Sequence, residues 1–201
     1  MSSPFLYLAS KSPRRQELLR QIGIAFHLLP PDDHAAAEAL EAPIPGESPT
    51  VYVKRVVLAK LESAVERLAT KGLEPAPVLA ADTTVAVGGQ ILGKPADADE
   101  ARAMLTLLSG RTHRVLTAVA LASHSRRELV VNVSRVTFSR LSRAAIDDYV
   151  ASGEPFDKAG GYGIQGRAGA FARRIEGSYS GIMGLPLYET DRLVRGVLAG
   201  R

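Results

Sequence analysis

Cysteine is absent from the 201 residues, which excludes disulfide bridges and thiolate zinc sites and fits a reducing compartment. Aromatic residues reach only 5%, and Lys and Arg are not gathered into a run. Both deficits argue against a nucleic-acid-binding module, which needs a basic patch or a recognisable binding motif. Met1 to Leu8 contain neither a basic n-region nor a long apolar run. We therefore expect a cytoplasmic protein without a signal peptide or a membrane span.

The remaining composition is that of a globular protein with a modest basic surplus. Hydrophobic residues make up 46% and charged residues 23%, so the chain can bury a core without covalent staples. The length predicts a single domain over residues 1–201, or two small lobes that share one core. A formal net charge of +4 admits nucleic acid or a small anionic substrate. Because this charge is dispersed, a solvated basic surface explains most of it.

Helix and strand patterns alternate along the chain and predict an α/β fold. An apolar run over residues 78–81 predicts a buried strand that ends at Asp82, and helical spacing predicts a helix over residues 50–68. Several Pro and Gly residues between 30 and 49 indicate a loop. Gly88-Gly89, between two short strands, is typical of a hairpin. We therefore predict a mixed, extended sheet flanked by helices rather than a fully parallel one.

The first group of polar residues lies where an N-terminal strand turns into a helix. Ser12 suits the N-cap of that helix and Pro13 its first position. A helix start attracts phosphate, and the hydroxyl of Ser10 with the guanidiniums of Arg14 and Arg15 would add donors. The alternative is a capped helix with solvated arginines. Two cations in a first helical turn oppose the helix dipole, which favours an anion there.

Three further residues are candidates for chemistry, each with a plain structural alternative. Asp82, at the end of an apolar strand, could bind a metal or activate water, or could belong to a turn. Lys94, in the turn Gly93-Lys94-Pro95, could contact phosphate or lie on the surface. Lys60, within the second helix, could snorkel to solvent or reach a phosphate.

A glycine-rich segment, residues 157–166, is the most informative string in the chain. Four glycines in ten residues allow close backbone approach to a ligand. Gln165 offers both a hydrogen-bond donor and an acceptor, as recognition of a base edge requires. A purely structural loop would not need these polar groups. The segment is not a phosphate-binding P-loop, and no such motif occurs in the sequence.

Taken together, the motifs resemble those of the Maf family, in the family's order and across nearly the whole chain. The segments are Ser10-x-Ser12-Pro13-Arg14-Arg15, Ala81-Asp82-Thr83, Gly93-Lys94-Pro95, Leu108-Ser109-Gly110-x-Thr112-His113, Asp157-Lys158-Ala159-Gly160-x-Tyr162-Gly163-Ile164-Gln165-Gly166 and Gly184-Leu185-Pro186.

The resemblance implies an inosine-triphosphatase-like α/β fold with a substrate cleft between two lobes. It also implies a nucleoside triphosphate pyrophosphatase that needs a divalent cation, Mg²⁺ or Mn²⁺. Asp82 falls on the family's catalytic acid. Positions linked to base choice are matched by Arg14, Thr83 and Gln165. The family's polar substrate-cleft positions are matched by Ser10, Ser12, Arg15, Lys60 and Lys94.

Within the family the motifs favour the branch that hydrolyses dTTP and UTP. The sister branch, which prefers 7-methyl-GTP, lacks the Tyr-Gly-Ile-Gln string and usually lacks the second Arg of the first motif. The family also carries an acidic residue before a Pro-Gly-Glu stretch, here residues 45–47. Glu41 suits this second metal or water contact best, and its competitors are Asp32, Asp33 and Glu38.

The resemblance further implies small-molecule nucleoside triphosphates as substrates, a house-cleaning role in nucleotide pools and a link to arrest of septum formation. We expect a homodimer without a stable nucleic-acid partner. Two alternatives stay open on the residues alone. One is a non-enzymatic nucleic-acid-binding protein, and the other is a regulator that binds nucleotide without cleaving it, against which the intact Asp82 argues.

Overall fold

The computed structural model describes residues 5–124 and 126–199, which contain seven strands and seven α-helices. The strands are β1 (Leu6–Leu8), β2 (Phe26–Leu28), β3 (Val78–Val87), β4 (Gln90–Leu92), β5 (Thr112–Ser123), β6 (Arg126–Phe138) and β7 (Ala172–Glu176). The helices are α1 (Pro13–Gln21), α2 (His34–Ala39), α3 (Pro49–Thr70), α4 (Ala98–Leu108), α5 (Arg143–Ala151), α6 (Tyr179–Met183) and α7 (Leu187–Ala199).

All seven strands belong to one mixed sheet, which confirms the predicted fold class. Its order is β2-β1-β3-β5-β6-β7, and β4 pairs with β3 outside this path. β1 is parallel to β2 and β3, and the other pairings are antiparallel. The predicted hairpin joins β3 to β4, where Gly88 and Gly89 have φ values of 56° and 90° that suit glycine. None of the helices in the described part of the chain is long and apolar enough to cross a membrane.

Helices cover both faces of the sheet and create three apolar clusters. On one face, Val53, Val56 and Leu61 of the long helix α3 pack against alternate residues of β3 and β5. The other face carries two clusters. One lies under α1 and α7, and the other lies under α4, α5 and the segment that follows α5. The two clusters form the bases of two lobes, which share the central strands β3 and β5.

The middle of β3 has an open edge that creates room for a site. β1 pairs with β3 only up to Leu79, and β4 pairs with it only from Val85 onward. Residues 80–84 therefore have β5 on one edge and no described strand on the other. The prediction that this strand ends at Asp82 is wrong. β5 pairs with β3 from Val78 through Ala86, and this continuous ladder extends the strand past Asp82.

The density of Pro and Gly predicted a loop over residues 30–49, but the region is only partly a loop. It contains α2, whose Ala-rich sequence has high helix propensity. The side chain of Asp33 caps this helix by accepting hydrogen bonds from the backbone N–H groups of Ala35 and Ala36. Asp33 is therefore used as a helix cap and is not among the residues that line the cleft.

Candidate active site

A cleft of about 740 Å³ lies against the open edge of β3, between the two lobes. The start of α1 and the end of α6 form one wall, and the Gly93-Lys94 turn with the glycine-rich segment forms the other. Nine of the ten residues proposed from the sequence line this cleft. They are Ser12, Arg14, Arg15, Glu41, Lys60, Asp82, Thr83, Lys94 and Gln165.

Two carboxylates and two ammonium groups meet at the centre of the cleft. Lys60 Nζ lies 2.6 Å from Asp82 Oδ1 and 2.6 Å from Glu41 Oε1. Lys94 Nζ lies 3.3 Å from the second carboxylate oxygen of Glu41. Lys60 therefore does not snorkel to solvent, because its ammonium bridges the two acids. The Asp82 side chain is only 8% exposed, so this charge is held close to the apolar core.

Among the acidic residues that competed on sequence, Glu41 is the one that reaches the cleft. Asp32 forms an exposed ion pair with Lys71 instead, and Glu38 is exposed on α2. Burial of Glu41 opposes ionisation, but the charges and hydrogen bonds of Lys60 and Lys94 outweigh it. The pKa of Glu41 is lowered as a result. Glu41 is thus held as a carboxylate at neutral pH.

The loop that presents Glu41 is held by two residues of α3 that the sequence analysis missed. Arg55 donates hydrogen bonds to the backbone carbonyls on either side of Glu41, those of Leu40 and Ala42. Arg55 also forms a bidentate pair with Glu47, with both distances at 2.8 Å. Tyr52 donates a 2.8 Å hydrogen bond to the backbone carbonyl of Glu41 itself. No local spacing signals this arrangement, because its partners come from separate elements.

Arg15 ties the first helix to the floor of the cleft. Its Nε donates to the carbonyl of Gly184 at 2.9 Å, and its two terminal nitrogens donate to Ser10 Oγ and Thr83 Oγ1. Burial lowers the pKa of Arg15, and the charge of Asp82 opposes that effect. Much of this guanidinium fork is therefore committed to protein groups, which makes Arg15 a structural element of the cleft as well as a cation.

The hydroxyl oxygens of Ser10 and Ser12 accept hydrogen bonds from other groups of the protein. Ser12 caps α1 by accepting from the backbone N–H of Arg15, as its place before Pro13 predicted. Ser10 is buried and accepts from the backbone N–H of Ser12 and from Arg15. Ser10 lies behind the cleft wall rather than on it, so it supports the residues that could meet a substrate. Each hydroxyl still carries a proton that it can donate.

Asp82 and Thr83 are adjacent in sequence but face opposite sides of the sheet. Thr83 Oγ1 lies 2.9 Å from Thr117 Oγ1, and Thr117 donates in turn to the carbonyl of Gly181 at 2.7 Å. Because Thr117 donates its hydroxyl hydrogen to that carbonyl, Thr83 must be the donor in the hydrogen bond between the two hydroxyls. Thr83 also accepts from Arg15. A substrate group that meets Thr83 would therefore find an acceptor.

The glycine-rich segment packs directly on β3, and this brings Gln165 to the cleft. The N–H of Gly160 donates to the carbonyl of Gly93, and a Cβ at Gly160 would lie 2.9 Å from the side chain of Val85. Gly160 also has a φ of 72°, so both its space and its backbone require glycine. Gln165 is exposed, and its side chain makes no hydrogen bond to any residue that the structure describes.

Asp82 and Glu41 are the carboxylates at the centre of the cleft that could hold a divalent cation. Within residues 5–124 and 126–199, no group of three or more His, Asp or Glu side chains is placed to hold a metal ion alone. Mg²⁺ rarely needs such a cage, since one or two carboxylates with phosphate oxygens and water usually suffice. Asp82 and Glu41 come from different elements and reach the same nitrogen. A metal ion held by both acids would share them with this ammonium or displace it.

Comparison with known proteins assigns the chain to a family. The model of the family described as "Maf-like protein" matches residues 5–197. The chain belongs to the Maf family. The Maf resemblance drawn from the motifs is thereby confirmed.

Several curated relatives are similar over almost their full length. The chain is 58% identical over 190 residues to a dTTP/UTP pyrophosphatase of Cupriavidus metallidurans, covering 94% of this chain and 95% of the relative. It is 59% identical over 194 residues to a dTTP/UTP pyrophosphatase of Burkholderia orbicola, covering 96% of this chain and 92% of the relative. A solved structure of the Staphylococcus aureus Ham1 protein aligns at a TM-score of 0.42 and 13% identity, over 66% of this chain and 71% of that one, a likeness too distant to bear on either fold or function.

Proposed function

We propose that this Maf protein hydrolyses dTTP and UTP to the nucleoside monophosphate and pyrophosphate. The observation that carries the proposal is the meeting of Asp82 and Glu41 with Lys60 and Lys94 in a cleft of about 740 Å³, a size that suits a small-molecule ligand. The relatives that carry this activity in their names cover nearly the whole chain. We propose the pools of free nucleotides as the physiological target.

The charges around the centre suggest how the reaction proceeds. Lys94 lines the cleft and would neutralise phosphate oxygens, while Arg15 holds the floor of the cleft in place. Asp82 would orient or deprotonate the water that attacks the α-phosphorus. The α–β phosphoanhydride bond then breaks, and pyrophosphate leaves with the bonding electron pair. Catalysis would come mostly from positioning and from stabilisation of the developing charge.

A divalent cation, Mg²⁺ or Mn²⁺, belongs to the proposal. Asp82 and Glu41 would hold the cation. When bound, the cation would neutralise the negative charge that spreads over the phosphate oxygens in the transition state. Lys60 lies between the same two carboxylates. Its ammonium keeps the acids compensated, so the protein does not need to bear two uncompensated negative charges in a partly buried place.

Base selection is the role proposed for Arg14, Thr83 and Gln165, which all line the cleft. The side-chain amide of Gln165 can pair with the O4 and N3–H edge of uracil or thymine, since it offers one donor and one acceptor. Thr83 offers an acceptor on the floor of the same cleft. Purines present a different pattern of donors and acceptors and should be poor substrates.

The family resemblance supports three further parts of the proposal. We propose a cytoplasmic enzyme, a homodimer in solution and no stable nucleic-acid partner. Light scattering on the purified protein tests the dimer. Binding of single-stranded or duplex DNA that falls with salt, in the absence of nucleotide turnover, would favour the nucleic-acid alternative instead.

Product analysis tests the reaction directly. Purified protein is incubated with UTP or dTTP and Mg²⁺, with a chelator control, and the products are separated by chromatography. We expect UMP or dTMP with an equal amount of pyrophosphate. UDP and free phosphate as primary products would place the attack at the γ-phosphorus and overturn the pyrophosphatase proposal.

A further inference from the structure

One buried hydroxyl joins Glu154, which precedes the glycine-rich segment, to Gly163 within that segment. Tyr149 lies on α5 with its side chain 1% exposed. Its hydroxyl lies 3.1 Å from Glu154 Oε1 and 3.1 Å from the backbone nitrogen of Gly163. The hydroxyl donates to the carboxylate and accepts from the N–H group. Tyr149 therefore connects Glu154, three residues before the segment, to the residue two positions before Gln165.

The carboxylate of Glu154 completes the arrangement on the other side of Gln165. Its second oxygen, Oε2, accepts from the backbone N–H of Arg167 at 3.2 Å. The N–H groups two positions before and two positions after Gln165 are thus both held, one by the tyrosine hydroxyl and one by the carboxylate. The backbone of Glu154 is itself fixed, since its carbonyl accepts a 2.6 Å hydrogen bond from Lys158 Nζ.

The carboxylate lies directly against the backbone it supports. A Cβ at Gly166 would stand 1.9 Å from Glu154 Oε1, so a side chain there would displace the carboxylate. Gly166 has φ −97°, a value open to any residue, so a larger residue there would move the carboxylate rather than strain the backbone. The carboxylate thus occupies the position of a side chain at Gly166.

The side chain of Gln165 depends on this support. It is exposed and makes no hydrogen bond to the described residues, whereas the preceding Ile164 is buried in the core. A ligand-facing side chain without braces of its own is placed by its backbone. Burial, together with the charge of Glu154, raises the pKa of Tyr149. The hydroxyl therefore stays protonated and remains a donor at working pH.

We infer that Tyr149 and Glu154 are positioning residues for base selection: they clasp the backbone at Gly163 and Arg167 and so set where Gln165 meets the pyrimidine ring. Tyr149 is not among the residues that line the cleft, whereas Glu154 lines it beside the glycine-rich segment. This inference rests on the proposed function, because it assigns a cause to the preference for UTP and dTTP. It predicts that loss of the clasp weakens the preference more than it weakens hydrolysis in general.

The decisive variant is Tyr149→Phe, which keeps the buried ring and removes the hydroxyl. Glu154→Gln is the second variant, since its amide has one acceptor oxygen where the carboxylate uses two, one for Tyr149 and one for Arg167. Tyr188→Phe is the matched control, because Tyr188 is 70% exposed on α7. For each protein, kcat and KM are measured with UTP, dTTP and ATP, and the unfolding temperature is recorded. Trypsin cleavage after the exposed Arg167 reports on the segment without any reference to activity.

We expect Tyr149→Phe to lower kcat/KM for UTP and dTTP by about ten- to a hundredfold, the scale of a small misplacement of a positioning group. The change for ATP should stay within about threefold, cleavage at Arg167 should accelerate, and Tyr188→Phe should match the wild type. An unchanged ratio of UTP to ATP, or an equal loss on all three nucleotides, would overturn the inference. If the wild type fails to hydrolyse UTP, the proposed function falls. The clasp is then judged by proteolysis, where unchanged cleavage refutes it.

Discussion

The ammonium of Lys60 donates a 2.6 Å hydrogen bond to the carboxylate of Asp82, and the same ammonium donates to Glu41 at 2.6 Å. The acid proposed to act on water is therefore paired with a cation from the long helix α3. Two acids share one lysine, so the loss of either carboxylate leaves Lys60 with a partner. The removal of Lys60 takes the same ion-pair partner away from both Asp82 and Glu41. Mutations at this centre should consequently have unequal effects on activity and on stability.

Asp82→Asn separates these two effects. The amide keeps the shape of the side chain but removes the charge, so turnover of UTP should fall by at least about a hundredfold, the scale of one general base or charge stabiliser. Since Glu41 still compensates Lys60, the unfolding temperature should shift by less than about 4 °C, roughly 1 kcal/mol for a chain of this size. Steady-state kinetics and calorimetry give the two values. Turnover near that of the wild type would remove Asp82 from the mechanism.

Lys60→Met tests the proposed cation site without reliance on activity. The variant keeps the aliphatic stem but leaves Asp82 and Glu41 facing one another without their shared ammonium. If Mg²⁺ binds these two acids in the folded variant and not in the unfolded chain, it should raise the unfolding temperature of Lys60→Met. The increase should grow with the Mg²⁺ concentration. The control is Lys60→Met combined with Asp82→Asn, for which the increase should largely vanish. An equal response of the single and double variants would count against a cation site at these acids.

Gln165→Leu tests base recognition itself. The variant leaves polar base edges unpaired in the cleft, at a cost of roughly 1–3 kcal/mol. This corresponds to a loss of about five- to 150-fold in kcat/KM for UTP and dTTP, with a smaller loss for ATP. CTP is the informative intermediate substrate, because cytosine inverts the donor and acceptor pattern and an amide can rotate to follow it. A uniform loss on every nucleotide would mean that Gln165 only braces its segment.

His113 should make the stability of the fold depend on pH. It is buried, its Nε2 lies 2.7 Å from the hydroxyl of Tyr162, and its Nδ1 has no hydrogen-bond partner among the described residues. Burial lowers its pKa to about 4 from the ordinary 6.5. Between these values the unfolded chain binds a proton that the folded chain does not. The stabilisation is therefore complete above pH 6.5 and is lost as the pH falls toward 4.

Denaturant unfolding at pH 7 and at pH 5 measures this contribution. The pKa difference predicts that His113 accounts for about 2 kcal/mol of the stability lost between these two values. His113→Gln can still accept from Tyr162 but does not titrate, so its loss should be smaller by that amount. His27→Gln, at an exposed position, should behave like the wild type. Equal losses in all three proteins would show that His113 takes up its proton without cost to the fold.

Much of the fold follows from local patterns. The cap at Ser12 with Pro13 and the Gly88-Gly89 turn could be predicted, because each depends on residues close together in the chain. The mixed sheet could be predicted from the order in which strand and helix patterns follow one another. The Maf motifs also contain most of the residues that line the cleft. The two predictions that were wrong also have physical reasons. Asp82 was placed at a strand end, although pairing with β5 carries the strand on to Val87, and the helix at residues 34–39 was hidden among prolines and glycines.

The sequence by itself determined the family, the types of side chain available for phosphate chemistry and the segments in which they occur. Only the tertiary structure decided which of these groups meet. It selected Glu41 among four acids, because Arg55 and Tyr52 of a different element hold its loop over Lys60. It also placed Ser10 behind the wall of the cleft. Hydrogen bonds between residues far apart in the chain fix such positions, and no short-range pattern encodes the partner at the other end.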